Sequence, residues 1–178
     1  LIVHVAGFDD IRALTSRVPA QARELSRRFW PGPLTMVLPK ADCIPDNVSG
    51  GLPTVAVRMP AHPAALAVIQ AAGVPLAAPS ANLSGGPSPT TAAHVLNDLD
   101  GLIDAVVDGG ECAVGVESTV VSLIDEVPRL LRPGGITPGQ LREVLGELII
   151  DPAVYADIDH DQKPSSPGMK YKHYSPRA

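Results

Sequence analysis

From Met59 to Asn97 the chain carries no Asp, Glu, Lys or Arg. An uncharged run of that length is what a bilayer span needs, but Pro60, Pro63, Pro75, Pro79, Pro87 and Pro89 interrupt it. Each proline removes a backbone donor and clashes with a preceding helical turn, so no continuous apolar helix can form. The stretch must fold as short elements with bends between them.

The flanking sequence shows what kind of elements these are. Helix-like and strand-like segments alternate, the mark of an α/β domain. LIVHV, LTMVLP, TVAVRMP, IDAVVDGG, STVVSLI and RLLR read as strands, and PLAAPSAN as a short buried one. FDDIRALTSR, PAQARELSRRFW, HPAALAVIQAA, SPTTAAHVLNDL and TPGQLREVLG read as helices. Pro19 suits a first turn, Ser88 a cap ahead of Pro89, Gly73 a left-handed end, and Thr137 with Gln140 a reciprocal cap. Past Leu148 the periodicity stops, so residues 1–148 read as the domain and 149–178 as a linker or lid. Hydrophobic residues make up 45% of the chain and aromatics only 3%, so the core is built from Val, Leu, Ile and Ala. A net charge of -5 argues against tight nonspecific binding to nucleic acid, which requires many phosphate-neutralising cations. Cys43 and Cys112 are unpaired in spacing and read as free thiols of a reducing cytoplasm.

Polar groups cluster at strand ends. Alternation puts Thr54, Ala56 and Arg58 on one face of TVAVR and Val55 and Val57 on the other. Ser80 and Asn82 precede an SGG turn, Ser118 opens the run into VVSLI, and Arg132 closes LLR. Ligands of α/β proteins sit in crevices at strand ends. The two guanidiniums suit carboxylate or phosphate, and the hydroxyls and amide supply neutral hydrogen bonds. Neither common phosphate loop is present, and no serine sits on a G-x-S-x-G elbow. No His/Cys cluster has zinc spacing. His4, in an apolar strand, reads on its own context as structural. His62 begins a helix, His94 lies within one, and neither is given a role.

Taken together, LIVHV, RRFWPGPLTMVL, TVAVRMPAHP, APSANLSGGPSPT, GVESTVVSL and LLRPGGIT resemble, in order, the threonylcarbamoyl-AMP synthases of the YrdC-like superfamily. The tail PGMKYKHYSP resembles the long form of that family. The resemblance implies an open α/β sandwich, a twisted mixed sheet with helices around a concave cleft. It implies an enzyme that joins L-threonine, bicarbonate and ATP (with Mg²⁺) into threonylcarbamoyl-adenylate, releases pyrophosphate, and serves tRNA modification through downstream transfer proteins. By the same resemblance His4, Arg58, Ala78 and Ser118 line the threonine pocket. Thr54, Ser80, Asn82, Ser88, Arg132 and Tyr171 lie on the ATP side, and Lys170 to Tyr174 close over the cleft. A first strand, its helix and a Lys-x-Arg element would precede Leu1, and a further domain would follow Ala178, so the chain alone is expected to be impaired. Two other readings compete: a non-catalytic RNA-binding module and a carbamoyl-adenylate-handling domain of hydrogenase-maturation type.

Overall fold

Val55 and Val57 are buried on one side of strand β3 (Thr54–Arg58), while Thr54 and Arg58 are half-buried on the other. The alternation read from the sequence therefore sets which face is core and which is site. In the computed structural model, which describes residues 1–155, β3 sits inside a seven-stranded mixed sheet of order β4-β1-β3-β2-β5-β6-β7. The other strands are β1 (Ile2–His4), β2 (Leu34–Pro39), β4 (Leu76–Ala78), β5 (Thr119–Ser122), β6 (Arg129–Arg132) and β7 (Ile149–Ile150). β1 runs parallel to β3, β5 parallel to β2, and β7 parallel to β6; the remaining pairs are antiparallel.

One face carries the main core. Val3, Met36, Leu38, Val55, Val57, Val121 and Leu130 meet Ile11, Leu25, Phe29 and Leu141 there. Leu25 and Phe29 come from helix α1 (Ala20–Phe29) and Leu141 from α5 (Pro138–Leu145). Full burial of side chains of this size contributes about 1.5–3 kcal/mol each. Among the described residues the other face holds a small cluster, Val37, Ala56, Val120 and Leu131, with Ile2 and Ile124 at its margin. Helix α3 (Pro63–Ala72) buries Ile69 alone and α4 (Ala92–Leu99) buries no residue. A sheet face so thinly covered leaves room for a ligand.

Several local expectations change. Residues 8–13 form a six-residue 3-10 helix, not an α-helix, with Asp10 accepting from the Ala6 and Gly7 N–H groups at its entry. Pro19 is the N-cap of α1, with extended backbone. A further short helix, α2 (Asp46–Ser49), joins β2 to β3. β4 is an edge strand with Ala77 exposed, so PLAA is not buried. Thr91, not Ser88, caps α4 by accepting from the His94 N–H. IDAVVDGG forms no strand; it is exposed, turns at Gly110 (φ +84°), and meets His62 through the Gly109 carbonyl at 3.1 Å. The sheet also continues past Leu148 through β7, a two-residue strand too short to show periodicity.

Among the described residues no helix is long and apolar enough to cross a membrane. Tyr171, with Lys170, Lys172, His173 and Tyr174, lies outside the described residues.

Candidate active site

Strand register aligns Leu76, His4, Arg58, Thr35 and Val120 in one row across β4, β1, β3, β2 and β5. Directly paired residues of neighbouring strands project from the same side of a sheet. His4, Arg58 and Thr35 therefore share the thinly covered face. Arg132 is paired with Val120 at the same end of β6.

The loop before β2 fixes Arg58. Gly32 donates its N–H to the Met59 carbonyl at 2.9 Å and accepts from Arg58 Nε through its own carbonyl at 3.0 Å. That leaves the two terminal nitrogens of the guanidinium for a ligand. Burial lowers the Arg58 pKa, an effect that the neighbouring Cys112 thiol opposes. An arginine stays charged through such a shift, so the cation remains in the site. The His4 pKa is lowered too: burial comes first, then the charge of Arg58, and the Ile2 and Leu76 carbonyls only partly offset them. Its Nδ1 is buried and has no hydrogen-bond partner among the described residues. Those two carbonyls lie near enough to favour the charged ring, yet neither makes a directed bond to that nitrogen.

Ser118 is buried where β5 begins, and two side chains hold it. Its hydroxyl lies 2.7 Å from that of Thr35. Arg132 Nη2 donates to its hydroxyl oxygen at 3.2 Å, and Nε and Nη2 donate to its carbonyl at 3.2 and 2.8 Å. On the next residue, the Thr119 N–H donates to the Pro33 carbonyl, and its hydroxyl exchanges hydrogen bonds with the Ile136 backbone. Gly134 packs so tightly on the Glu117–Thr119 backbone that no Cβ would fit.

Thr54 and Ala78 share the Arg58 face but lie towards the other strand ends: Thr54 opposite Pro39, Ala78 opposite Ile2. Four residues of strand put Thr54 about 13 Å from Arg58, the span of an extended ligand. Ser80 and Asn82 stand beyond β4, where Ser80 Oγ donates to Asn82 Oδ1 and Asn82 Nδ2 donates to the Leu83 and Gly86 carbonyls. Ala81 between them is left-handed (φ +56°), an uncommon state for a residue with a side chain. Asn82 thus shapes the SGG turn. Ser88 donates to Glu117 Oε1 at 2.7 Å, tying the α4 loop to the start of β5.

Among the described residues, no three His, Cys, Asp or Glu side chains gather as a metal cage. The sequence reading placed Ser118 and Arg132 on different ligands; the structure joins them in one hydrogen-bonded unit with Thr35. Thr35 and Gly32 went unassigned. A lone hydroxyl inside the apolar run LTMVLP was the available signal for Thr35, and nothing in WPGP marks the Gly32 carbonyl.

The order of these segments along the chain agrees with known proteins. The profile of the family described as "Telomere recombination", which groups the Sua5, YciO and YrdC proteins, matches residues 1–134. The chain belongs to this family. A second profile, "Threonylcarbamoyl-AMP synthase, C-terminal domain", matches residues 136–178. The threonylcarbamoyl-AMP synthase of Bacillus subtilis is 54% identical over 100% of this chain and 51% of its own length. The crystal structure of Pyrococcus abyssi Sua5 complexed with L-threonine superposes with a TM-score of 0.93 at 51% identity, over 99% of this chain and 51% of that one. Escherichia coli YciO has a TM-score of 0.70 at 22% identity, covering 79% of this chain and 68% of its own, a likeness of fold alone. The chain spans about half the length of the curated synthases it matches.

Proposed function

We propose that the protein makes L-threonylcarbamoyl-adenylate from L-threonine, bicarbonate and ATP, releasing pyrophosphate. The observation that carries this reading is the row His4–Arg58–Thr35, closed by Ser118 and Arg132: a cation, a neutral imidazole and fixed hydroxyls on one sheet face. That set suits a small amino acid. A relative whose crystal structure is complexed with L-threonine superposes on 99% of the chain, which supports this reading.

In this reading Arg58 takes the threonine carboxylate on its two terminal nitrogens, a bidentate geometry a lysine cannot reproduce. Ser118 adds a hydroxyl, Ala78 leaves space, and His4 offers a neutral ring nitrogen beside the amine. The amine attacks the carbon of bicarbonate to form a carbamate, and the hydroxide that bicarbonate loses leaves as water with the amine's proton. A carbamate oxygen then attacks the α-phosphorus of ATP, and the bond to the β-phosphate oxygen breaks to release pyrophosphate. Thr54, Ser80, Asn82 and Ser88 form the nucleotide side, with Arg132 between the two ligands. The protein contributes position and charge stabilisation more than proton transfer. Mg²⁺ enters as the cation of the ATP substrate, and no step is assigned to it. tRNA and the proteins that transfer the threonylcarbamoyl group are the downstream partners, which places the protein in the cytoplasm.

The test is pyrophosphate release from ATP and bicarbonate, with L-threonine titration by calorimetry beside it. Release that requires L-threonine, with saturable threonine binding, supports the reading. Release with carbamoyl phosphate in place of threonine overturns it, as does failure to bind threonine.

A further inference from the structure

Helix α1 carries a charge pattern that its own stability does not explain. Arg23 is its fourth residue, at the end of a first turn that holds no acidic side chain, although the positive end of the helix dipole favours one there. Arg27 follows one turn later on the same face, and like charges at that spacing repel. Among the described residues neither arginine forms an ion pair. The same face continues through Ser26 to Trp30, and with Phe8 and Met59 these four residues line a hollow of about 200 Å³. In a chain that is only 3% aromatic, two rings meet here: Phe8 and Trp30 lie 6.5 Å apart, tilted by 59°. The Arg23 guanidinium stacks over Phe8 at 4.8 Å, which leaves its N–H edge to donate. Trp30 Nε1 donates to the Leu34 carbonyl at 2.7 Å and fixes the plane of the indole. Phe8, Trp30 and Met59 pack against the main core, so the hollow lies on the α1 side of the sheet, behind the Arg58 row.

Two guanidiniums side by side suit a dianion, and a phosphate monoester carries about −1.5 to −2 charge at pH 7. The aromatic faces suit a planar ring. Spacing decides what joins the two. Seven residues at about 1.5 Å of rise set Trp30 roughly 10 Å along α1 from Arg23. Phenyl phosphate is too short to span that, whereas a nucleotide places a sugar between base and phosphate. The hollow is also smaller than the roughly 300–1,000 Å³ of a site that encloses a drug-sized ligand, so it takes one base and not a dinucleotide. We infer that this hollow is a second ligand site, one that takes a nucleoside monophosphate unit, with the base against Trp30 and the phosphate between Arg23 and Arg27. It lies behind the sheet face of the proposed reaction and does not depend on that reading. The unit is a free nucleotide or a nucleotide exposed in single-stranded RNA, and its chemistry in the hollow is the same.

Trp30 is the chain's only tryptophan, so its fluorescence reports on this hollow directly. The test is quenching of that fluorescence, in the full chain, by uridine monophosphate. Saturable quenching is expected, with uridine and ribose 5-phosphate each binding at least about tenfold more weakly. Arg23→Gln and Arg27→Gln should each raise the Kd about tenfold, as expected for the loss of a charged hydrogen bond. Both arginines are exposed, so these variants keep the fold, which circular dichroism checks. Their L-threonine affinity, measured by calorimetry, should stay at the wild-type value. A short oligouridylate separates the two sources: tighter binding than uridine monophosphate marks RNA as the occupant, and binding no tighter marks the free nucleotide. Absence of saturable quenching by both ligands overturns the inference, as does quenching that the two arginine variants leave unchanged. Phenyl phosphate binding as tightly as uridine monophosphate overturns the assignment of a nucleotide.

Discussion

His4 stands directly opposite Arg58 in the parallel β1–β3 ladder, so an imidazole and a guanidinium share one row of one sheet face. With no carboxylate in that row, the two repel whenever the imidazole is charged.

The first prediction concerns His4 itself. Its folded pKa is lowered from the usual 6.5, by burial first and by Arg58 second. The sign follows from proton counting. Between the folded pKa and about 6.5, the unfolded chain binds the proton and the folded one does not. The stability due to a neutral His4 is thus complete above about pH 6.5 and is lost as pH falls below it. Denaturant unfolding at a series of pH values should show this loss, and His4→Gln should flatten it.

Arg58→Lys is the second. The lysine keeps the charge but loses both the Nε bond to the Gly32 carbonyl and the two-pronged fork. A charged hydrogen bond contributes about 1.5–3 kcal/mol, so threonine Kd should rise roughly ten- to a hundredfold. Calorimetry measures this, and an unchanged Kd removes Arg58 from the site.

How much of this was legible in the letters depends on the range of the signal. The β3 faces, the Thr137–Gln140 cap and the Gly73 terminus are set by neighbours within a few residues, and each forms as read. IDAVVDGG has the composition of a strand, yet it pairs with neither edge strand of the sheet, β4 or β7, and forms none. Ser88 looked like a cap because Pro89 follows it; Thr91 stands nearer the helix and takes that role. Thr35 and Ser118 are 83 residues apart, and no periodicity links them before the strands pair.

Gly134→Ala is the third prediction. An added Cβ would collide with the Glu117 carbonyl and the Thr119 N–H, both rigid backbone groups at the entry to β5. Overpacking of this kind costs about 1–3 kcal/mol. For a chain of this size that lowers Tm by roughly 3–10 °C. Because the strain falls on the residues flanking Ser118, threonine binding should weaken as well, beyond what the loss of stability explains. Scanning calorimetry and a threonine titration of the same sample would show both effects.

Thr137→Ala is the control for that interpretation. Thr137 and Gln140 cap α5 reciprocally: the Thr137 hydroxyl accepts from the Gln140 N–H at 3.3 Å, and Gln140 Oε1 accepts from the Thr137 N–H at 2.9 Å. Losing such a cap costs about 1 kcal/mol, or roughly 2–4 °C in Tm. α5 packs on the core face, behind the sheet, with Leu141 buried and no side chain in the Arg58 row. Thr137→Ala should therefore lose stability while keeping wild-type threonine affinity. If it loses affinity in step with Gly134→Ala, binding is reporting global stability, and the local account of Gly134 is wrong.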